Sequence, residues 1–429
     1  MFTKKTALLS VFLSVVIRLL FVYFDGNKIT SDEIDYYSLA LNIIHGKGFS
    51  LPTGFLTAYR PPAYPFFMAG ILSVIPSVGA IEIVQILLEI GSGVILYHIG
   101  KRVFSQTVGF AAMMMWNLFP TSIILSSQLM SESLVTFLLL LIVMIGMISN
   151  AISPWKAFLG GCITGIVLLA KPQAVLLFTT IGIYSFFKKR GALPIRPVVL
   201  MGIGMLLIIT PWIIRNKLVF GEFLVTTNGG MNFWIGNNDE ANGSYFIPAF
   251  DTLSSITNEP EQNRRGYQSG FSFIREHPVR WVELAVRKTA FLFSSQNYVS
   301  RIVRENSSPH SRYLEKVRMI PIIDLALLNV PFLLMLYFGT AGFFLFYKHY
   351  TDFIPIHLFP PVWIAIHALY FGAPRFLYPL LPFYCLLAAA VMTNFNSNGE
   401  FNKRKRSVIF SSAVFITLSA IAEIISAYL

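Results

Sequence analysis

The chain has 429 residues, 55% hydrophobic and only 13% charged, against about 25% charged in an ordinary globular protein. With a mean hydropathy of +0.64, that excludes a soluble enzyme, a disordered scaffold and a disulfide-rich secreted domain, and leaves a polytopic membrane protein. The net charge of +12 follows from Lys and Arg flanking apolar spans and does not call for nucleic acid. Cys162 and Cys385 both sit in apolar runs and form no CxxC pair.

Hydropathy predicts an all-α fold of about eleven spans, at 7–24, 82–100, 108–125, 130–149, 156–170, 173–187, 198–216, 321–347, 353–371, 376–394 and 408–427. No small-residue cleavage site follows the first span, so it reads as an anchor. With Lys4 and Lys5 in the cytoplasm, alternation also leaves Lys101, Arg102, Lys156, Lys188, Lys189, Arg190, Arg196, Lys348 and the run Lys403 to Arg406 inside. Three regions are expected: a transmembrane module at 1–216 with a first outer loop at 25–81, an extracytoplasmic loop region at 217–320, and C-terminal helices at 321–429. The expected location is the cell membrane, of bacterial type, with the N-terminus cytoplasmic and the site on the exterior. No transporter-type internal repeat is visible.

Charge near a bilayer is costly and marks function by default. In this topology Arg18, Arg60, Glu89, Glu132, Lys171, Arg215, Asp324 and Arg375 fall at or near the outer ends of spans or in the first outer loop. That loop reads Thr30-Ser31-Asp32-Glu33-Ile34-Asp35-Tyr36-Tyr37. Ile34, Tyr37, Leu41 and Ile44 recur at helical spacing, so an amphipathic helix is expected to lie on the membrane. Two readings of its acidic start stand side by side. Thr30 to Glu33 fits a capping box, with the acids favouring the helix dipole; Asp32 and Glu33 equally suit catalytic carboxylates at headgroup level.

Further along stands Tyr59-Arg60-Pro61-Pro62. The prolines are expected to open a second interfacial helix, and the Arg60 fork is shaped for two phosphate oxygens. Lys171 in a short turn, Arg215 closing a span and Arg375 opening one are each either interfacial anchors or parts of a cationic ring for an anionic lipid-linked ligand. Asp32, Glu33 and Asp35 are the residues that could hold a hard divalent ion, though their spacing is not diagnostic.

The spacing Asp32-Glu33-x-x-Tyr36-x-x-x-Ala40 after the first span resembles membrane glycosyltransferases of the GT-C superfamily, in particular protein O-mannosyltransferases and bacterial lipid A aminoarabinose transferases. Arg60-Pro61-Pro62 is similar to their basic-Pro-Pro motif. Pro211-Trp212-x-x-Arg215-Asn216, Gly236-Asn237-Asn238 and Arg375-x-x-x-Pro379-x-x-Pro382 are similar as well. The likeness runs over about 1–395 and rests on the order and placement of motifs that are weak one by one. It departs at Tyr59, where aminoarabinose transferases often carry an acid, and no β-trefoil insert is visible.

The resemblance implies transfer of a sugar, a hexosyl or pentosyl group, from a polyprenyl-phosphate donor to an envelope lipid, glycan or protein acceptor. It implies Asp32 as base with Glu33 as second acid, and Arg60 near the donor phosphate. Tyr36, Tyr59, Lys171, Arg215 and Arg375 complete the expected substrate-binding set, and no cofactor is required beyond the open question of a divalent metal. The competing class is a transporter or flippase of a lipid-linked saccharide, which would share the cations but not need the acidic pair.

Overall fold

A computed structural model describes residues 4–25, 29, 31–147, 153–174, 195–249, 253–294, 329–346 and 354–393. They form an all-α bundle; among them there is no strand, only one isolated bridge between Ser50 and Leu56. In chain order the α-helices are α1 (Lys4–Asp25), α2 (Asp32–Ile44), α3 (Ala63–Leu72), α4 (Val78–Val103), α5 (Gln106–Asn117), α6 (Pro120–Leu125), α7 (Glu132–Met147) and α8 (Pro154–Ala170). There follow α9 (Ile195–Phe220), α10 (Gly229–Gly236), α11 (Glu259–Glu276), α12 (Pro278–Leu292), α13 (Val330–Phe346), α14 (Ile354–Leu369) and α15 (Leu381–Thr393). A 3-10 helix, Pro374–Leu380, leads directly into α15.

Four stretches are long and apolar enough to cross a membrane: Lys5–Phe24, Val78–Val103, Ile195–Phe220 and Pro374–Thr393. Shorter apolar helices stand at the expected spans in α7, α8, α13 and α14. The protein is therefore an integral membrane protein of helical type. The spans expected at 173–187 and 408–427 lie outside the described residues, apart from the few that end the short 3-10 turn Pro172–Ala174. The single span expected at 108–125 is instead two helices. The chain leaves α5 at Leu118, and Pro120, with no N–H to donate, opens α6. Helix α4 starts four residues before the expected 82, at Val78, so Glu89 falls near mid-helix and not at a span end.

Small residues let the helices close. A Cβ on Gly161 of α8 would stand 2.1 Å from the Met201 carbonyl oxygen of α9, and one on Gly204 of α9 would stand 2.3 Å from the Phe158 oxygen. Backbones this close gain dispersion contacts that lipid tails cannot match. The centre of the bundle is filled by Trp116, Trp363, Phe332, Phe383 and Leu377, all essentially inaccessible.

Two pieces outside the long spans position the site. Helices α2 and α3 pack against each other. Of the expected stripe on α2, Ile34 (50% exposed) and Ile44 (37%) face away from the protein, whereas Tyr37 and Leu41 pack partly buried beside the inward-facing Glu33, Tyr36, Leu39 and Ala40. Helices α10 to α12 are pinned to the end of α14 by the Gly236-Asn237-Asn238 segment. Asn237 Nδ2 donates to the Leu369 oxygen at 2.8 Å, and the buried Lys288 Nζ of α12 donates to Asn237 Oδ1 at 2.8 Å. Taking that ammonium out of water pushes it down to about 7.

Candidate active site

Asp32 opens α2, directly after Ser31, whose φ of 51° is the left-handed backbone that a serine adopts only at some cost. Ser31 makes no side-chain cap. Thr30, on which the capping-box reading turns, lies outside the described residues; the helix starts after Ser31, and Glu33 turns inward to accept the Leu129 N–H at 2.7 Å.

At this first turn of α2 the Asp32 carboxylate is held from two sides. Arg60 Nη2 lies 2.7 Å from Oδ1 and Arg375 Nη1 2.6 Å from Oδ2. Burial works against the charge, but the Arg375 and Arg60 guanidiniums outweigh it and hold the carboxyl below the usual carboxylate range. Arg60 also bridges to Asp35 Oδ2 through Nη2 at 2.8 Å and Nε at 3.1 Å. Its guanidinium lies over the rings of Tyr36 (5.5 Å) and Tyr59 (5.4 Å), which adds a cation–π contribution. Burial pushes the Tyr36 hydroxyl up to about 12, so it stays neutral.

Local sequence explains these placements. Pro61 and Pro62 stop any helix from running back through Arg60, so Arg60 sits in a bend just before α3. Pro374 and Pro379 hold 374–380 in a tight 3-10 path that presents Arg375 to Asp32. The segment before Arg60 is clamped from below. Glu259, the first residue of α11, accepts from Thr57 Oγ1 (2.5 Å), the Ala58 N–H (2.9 Å) and Thr227 Oγ1 (2.7 Å).

The remaining expected residues divide. Lys171 Nζ pairs with Glu132 at 3.0 Å and stands 5.6 Å from the Phe376 ring, next in sequence to Arg375. Arg215 does not face Asp32. It donates to the backbone oxygens of Thr57 (2.8 Å) and Phe49 (3.1 Å) and lies over Trp212. The helix runs on to Phe220, so Arg215 stands inside α9 and not at its end, and its fork meets the returning loop. Glu33 is 7% exposed and engaged with backbone.

Of three further acids at this site, the sequence reading has Asp35 only as a possible metal ligand and Glu132 only as a charge at the outer level, and it misses Glu259. Asp35 was legible, because a residue three on from Asp32 shares its helix face. Glu132, at the first turn of α7, could have been paired with Lys171 by their shared level. Glu259 carries no such signal; it meets Thr57 across 202 residues of chain.

The acids do not fit a shared cation. Asp32 and Asp35 face guanidiniums and Glu33 faces Leu129. Among the described residues no group of three His, Cys, Asp or Glu could hold a metal ion, so no step is routed through one.

Residues 59–214 match the family model described as dolichyl-phosphate-mannose-protein mannosyltransferase. No curated protein sequence matches the chain. Among solved structures, the apo oligosaccharyltransferase of Archaeoglobus fulgidus superposes with a TM-score of 0.51 at 13% identity, over 99% of this chain and 55% of that one. The same enzyme in complex with an inhibitory peptide and a dolichol-phosphate gives 0.50 at 14%, with the same coverage. The chain thus spans about half the length of that enzyme. ArnT from Cupriavidus metallidurans, bound to undecaprenyl phosphate, gives 0.43 at 12%, over 90% of this chain and 78% of that one. The family-model match and the oligosaccharyltransferase fold fit the GT-C superfamily of membrane glycosyltransferases.

Proposed function

We propose that the protein transfers a sugar from a polyprenyl-phosphate donor to an envelope lipid, glycan or protein acceptor at the extracytoplasmic face, with Asp32 as the base. The observation that carries this is the carboxylate held between two guanidiniums and still 22% exposed, with Arg60 at 16% and Arg375 at 27%. Such an arrangement is poised for exchange of partners. An incoming phosphate competes for Arg60 and Arg375, the carboxylate loses the charges that depress its basicity, and it becomes fit to take a proton. An acceptor hydroxyl or amine then attacks the sugar C1 while its proton passes to Asp32. The C1–O bond to phosphate breaks, and the bonding pair leaves on the polyprenyl phosphate, whose added charge Arg60, Arg375 and Lys171 stabilise. Displacement in one step inverts the sugar carbon.

In this reading the first outer loop, 25–81, is the catalytic part of the 1–216 module, with 217–320 as the extracytoplasmic loop region and 321–429 as the C-terminal region. Tyr36 and Tyr59 hold the Arg60 guanidinium by their rings. Glu33 acts as a positioning residue that ties the start of α2 to Leu129, and Arg215 braces the loop that leads to Arg60. The likeness of residues 59–214 to a mannosyltransferase family supports the reaction type. The oligosaccharyltransferase fold, solved with dolichol-phosphate, supports the carrier.

The test is transfer from a polyprenyl-phosphate-linked sugar by the purified chain in nanodiscs. Asp32→Asn lowers it roughly 10²–10⁴-fold with the protein still folded. Near-normal transfer removes Asp32 from the mechanism.

A further inference from the structure

Helix α11 carries an open cleft of about 610 Å³ along one side, lined by Glu222, Asn263, Arg264, Tyr267, Gln268, Phe271 and Arg275 among others. None of the Asp32 cluster lines it. The volume falls in the ~300–1,000 Å³ range of small-ligand sites. Its floor is aromatic. Tyr267 and Phe271, one turn apart, are stacked at 6.5 Å and 26°, and both rest on the buried Phe233, at 5.5 and 4.8 Å. Tyr267 is tied in place through its hydroxyl, 3.2 Å from that of Tyr370. Phe271 nevertheless leaves 60% of its surface open. Around this floor stand planar polar groups. The side chains of Gln268 and Arg275 are exposed and make no hydrogen bond to any described residue.

That combination matches a pyranose. A sugar ring presents a face of C–H bonds, which seats on the negative face of an aromatic ring. Its edge presents neighbouring hydroxyl pairs, which planar amide, guanidinium and carboxylate groups can bridge. The charges argue against an anionic headgroup. Arg264 is paired with Glu261, and Glu222 adds a carboxylate to the lining, so the positive charge that Arg264 and Arg275 bring to the cleft is largely offset. The cleft also adjoins the reaction site through the backbone. Its wall begins at Pro260, next to Glu259, which clamps Thr57 and Ala58 just before Arg60.

We propose that the α11 cleft is a saccharide subsite that holds a neutral acceptor glycan, an inference that rests on the transferase reading for its place in the reaction. The test is saturation-transfer NMR on the full chain in phosphatidylglycerol nanodiscs, without donor, using maltotriose, mannotriose and chitotriose as probes. At least one trisaccharide receives saturation, and Phe271→Ala or Gln268→Ala weakens its binding roughly tenfold; both side chains are exposed, so the fold is kept. A wild-type chain that passes no saturation to any of the three, as when lipid headgroups fill the cleft, overturns the proposal. So does undiminished binding in both variants. A second arm separates this inference from the transferase reading. Sugar binding lost in the variants, in a chain with no transfer activity, upholds the cleft and sinks the reaction. Transfer with an acceptor KM unmoved by both substitutions overturns the cleft and keeps the reaction.

Discussion

Two groups of charge in this bundle differ in what closes them. Asp32, Arg60 and Arg375 keep between 16% and 27% of their side chains exposed. Arg18 of α1 keeps none. Its guanidinium donates to Ser14 Oγ, to the Asn117 oxygen at 2.6 Å and to Ser122 Oγ at 2.8 Å, and Glu89 of α4 supplies the opposing charge. The inner group spends its hydrogen bonds on its own protein and ties α1 to α5 and α6. The outer group is joined by ionic contacts that an incoming anion can replace. A buried charge thus reads as architecture where every partner is internal, and as a binding site where the partners are exchangeable and open to the surface.

The largest effects should come from the outer group. Arg60→Ala and Arg375→Ala should each lower kcat roughly 10²–10³-fold, as expected on removing a donor from a developing anion. Because both act on one carboxylate, the double variant should lose less than the product of the two. Strictly multiplicative losses in the transfer assay would mean that they act apart.

The inner group should show the opposite balance. Arg18→Leu leaves buried acceptors and Glu89 without their partner, a loss of about 3 kcal/mol in stability. Thermal unfolding in detergent reads it, and molecules that remain folded should turn over normally. Lost kcat in a fully stable variant would move Arg18 from architecture to chemistry.

Glu259→Gln should fall between the groups. Weakening its hold on Thr57 and Ala58 loosens Arg60 without removing it. Loss of position at one remove should cost about tenfold in kcat/KM, with little change in unfolding temperature. An unchanged kcat/KM would show that the clamp is idle.

The smallest effect is on pH dependence. Asp32 ordinarily titrates near 3.8 and is held lower here by Arg375 and Arg60. Its ionic contacts therefore contribute stability above the unfolded value, and that contribution is lost as pH falls through the folded one. The acid limb of kcat/KM, which reports the free enzyme, should lie below about pH 4, and Arg375→Ala should move it upward. A limb that stays in place in that variant would assign it to another group.

Much of this was legible in the sequence, for physical reasons that also mark where reading stops. Apolar runs and flanking Lys and Arg outline the spans, because a bilayer admits few other solutions. Asp32, Arg60 and Arg375 stand out because charge at that depth is expensive. Periodicity shows which face of a helix a residue occupies, but not which distant segment meets that face. Glu33 was grouped with Asp32 by adjacency, yet neighbours in a helix point about 100° apart, and it meets Leu129 instead. Arg215 shares a level with the other cations, yet the nearest acceptors to its fork are the carbonyls of Phe49 and Thr57. The break at Pro120 was visible as a proline within an apolar run, and hydropathy averages over it.

The most direct measurement takes both readouts on one preparation of Asp32→Asn: binding of undecaprenyl phosphate and transfer of sugar. Removing the carboxylate frees Arg60 and Arg375, so the variant should bind the phosphate at least as tightly as the wild type while transfer falls at least a hundredfold, the lower range of a lost general base, about 10²-fold. Weakened phosphate binding, or transfer near the wild-type rate, would contradict the account.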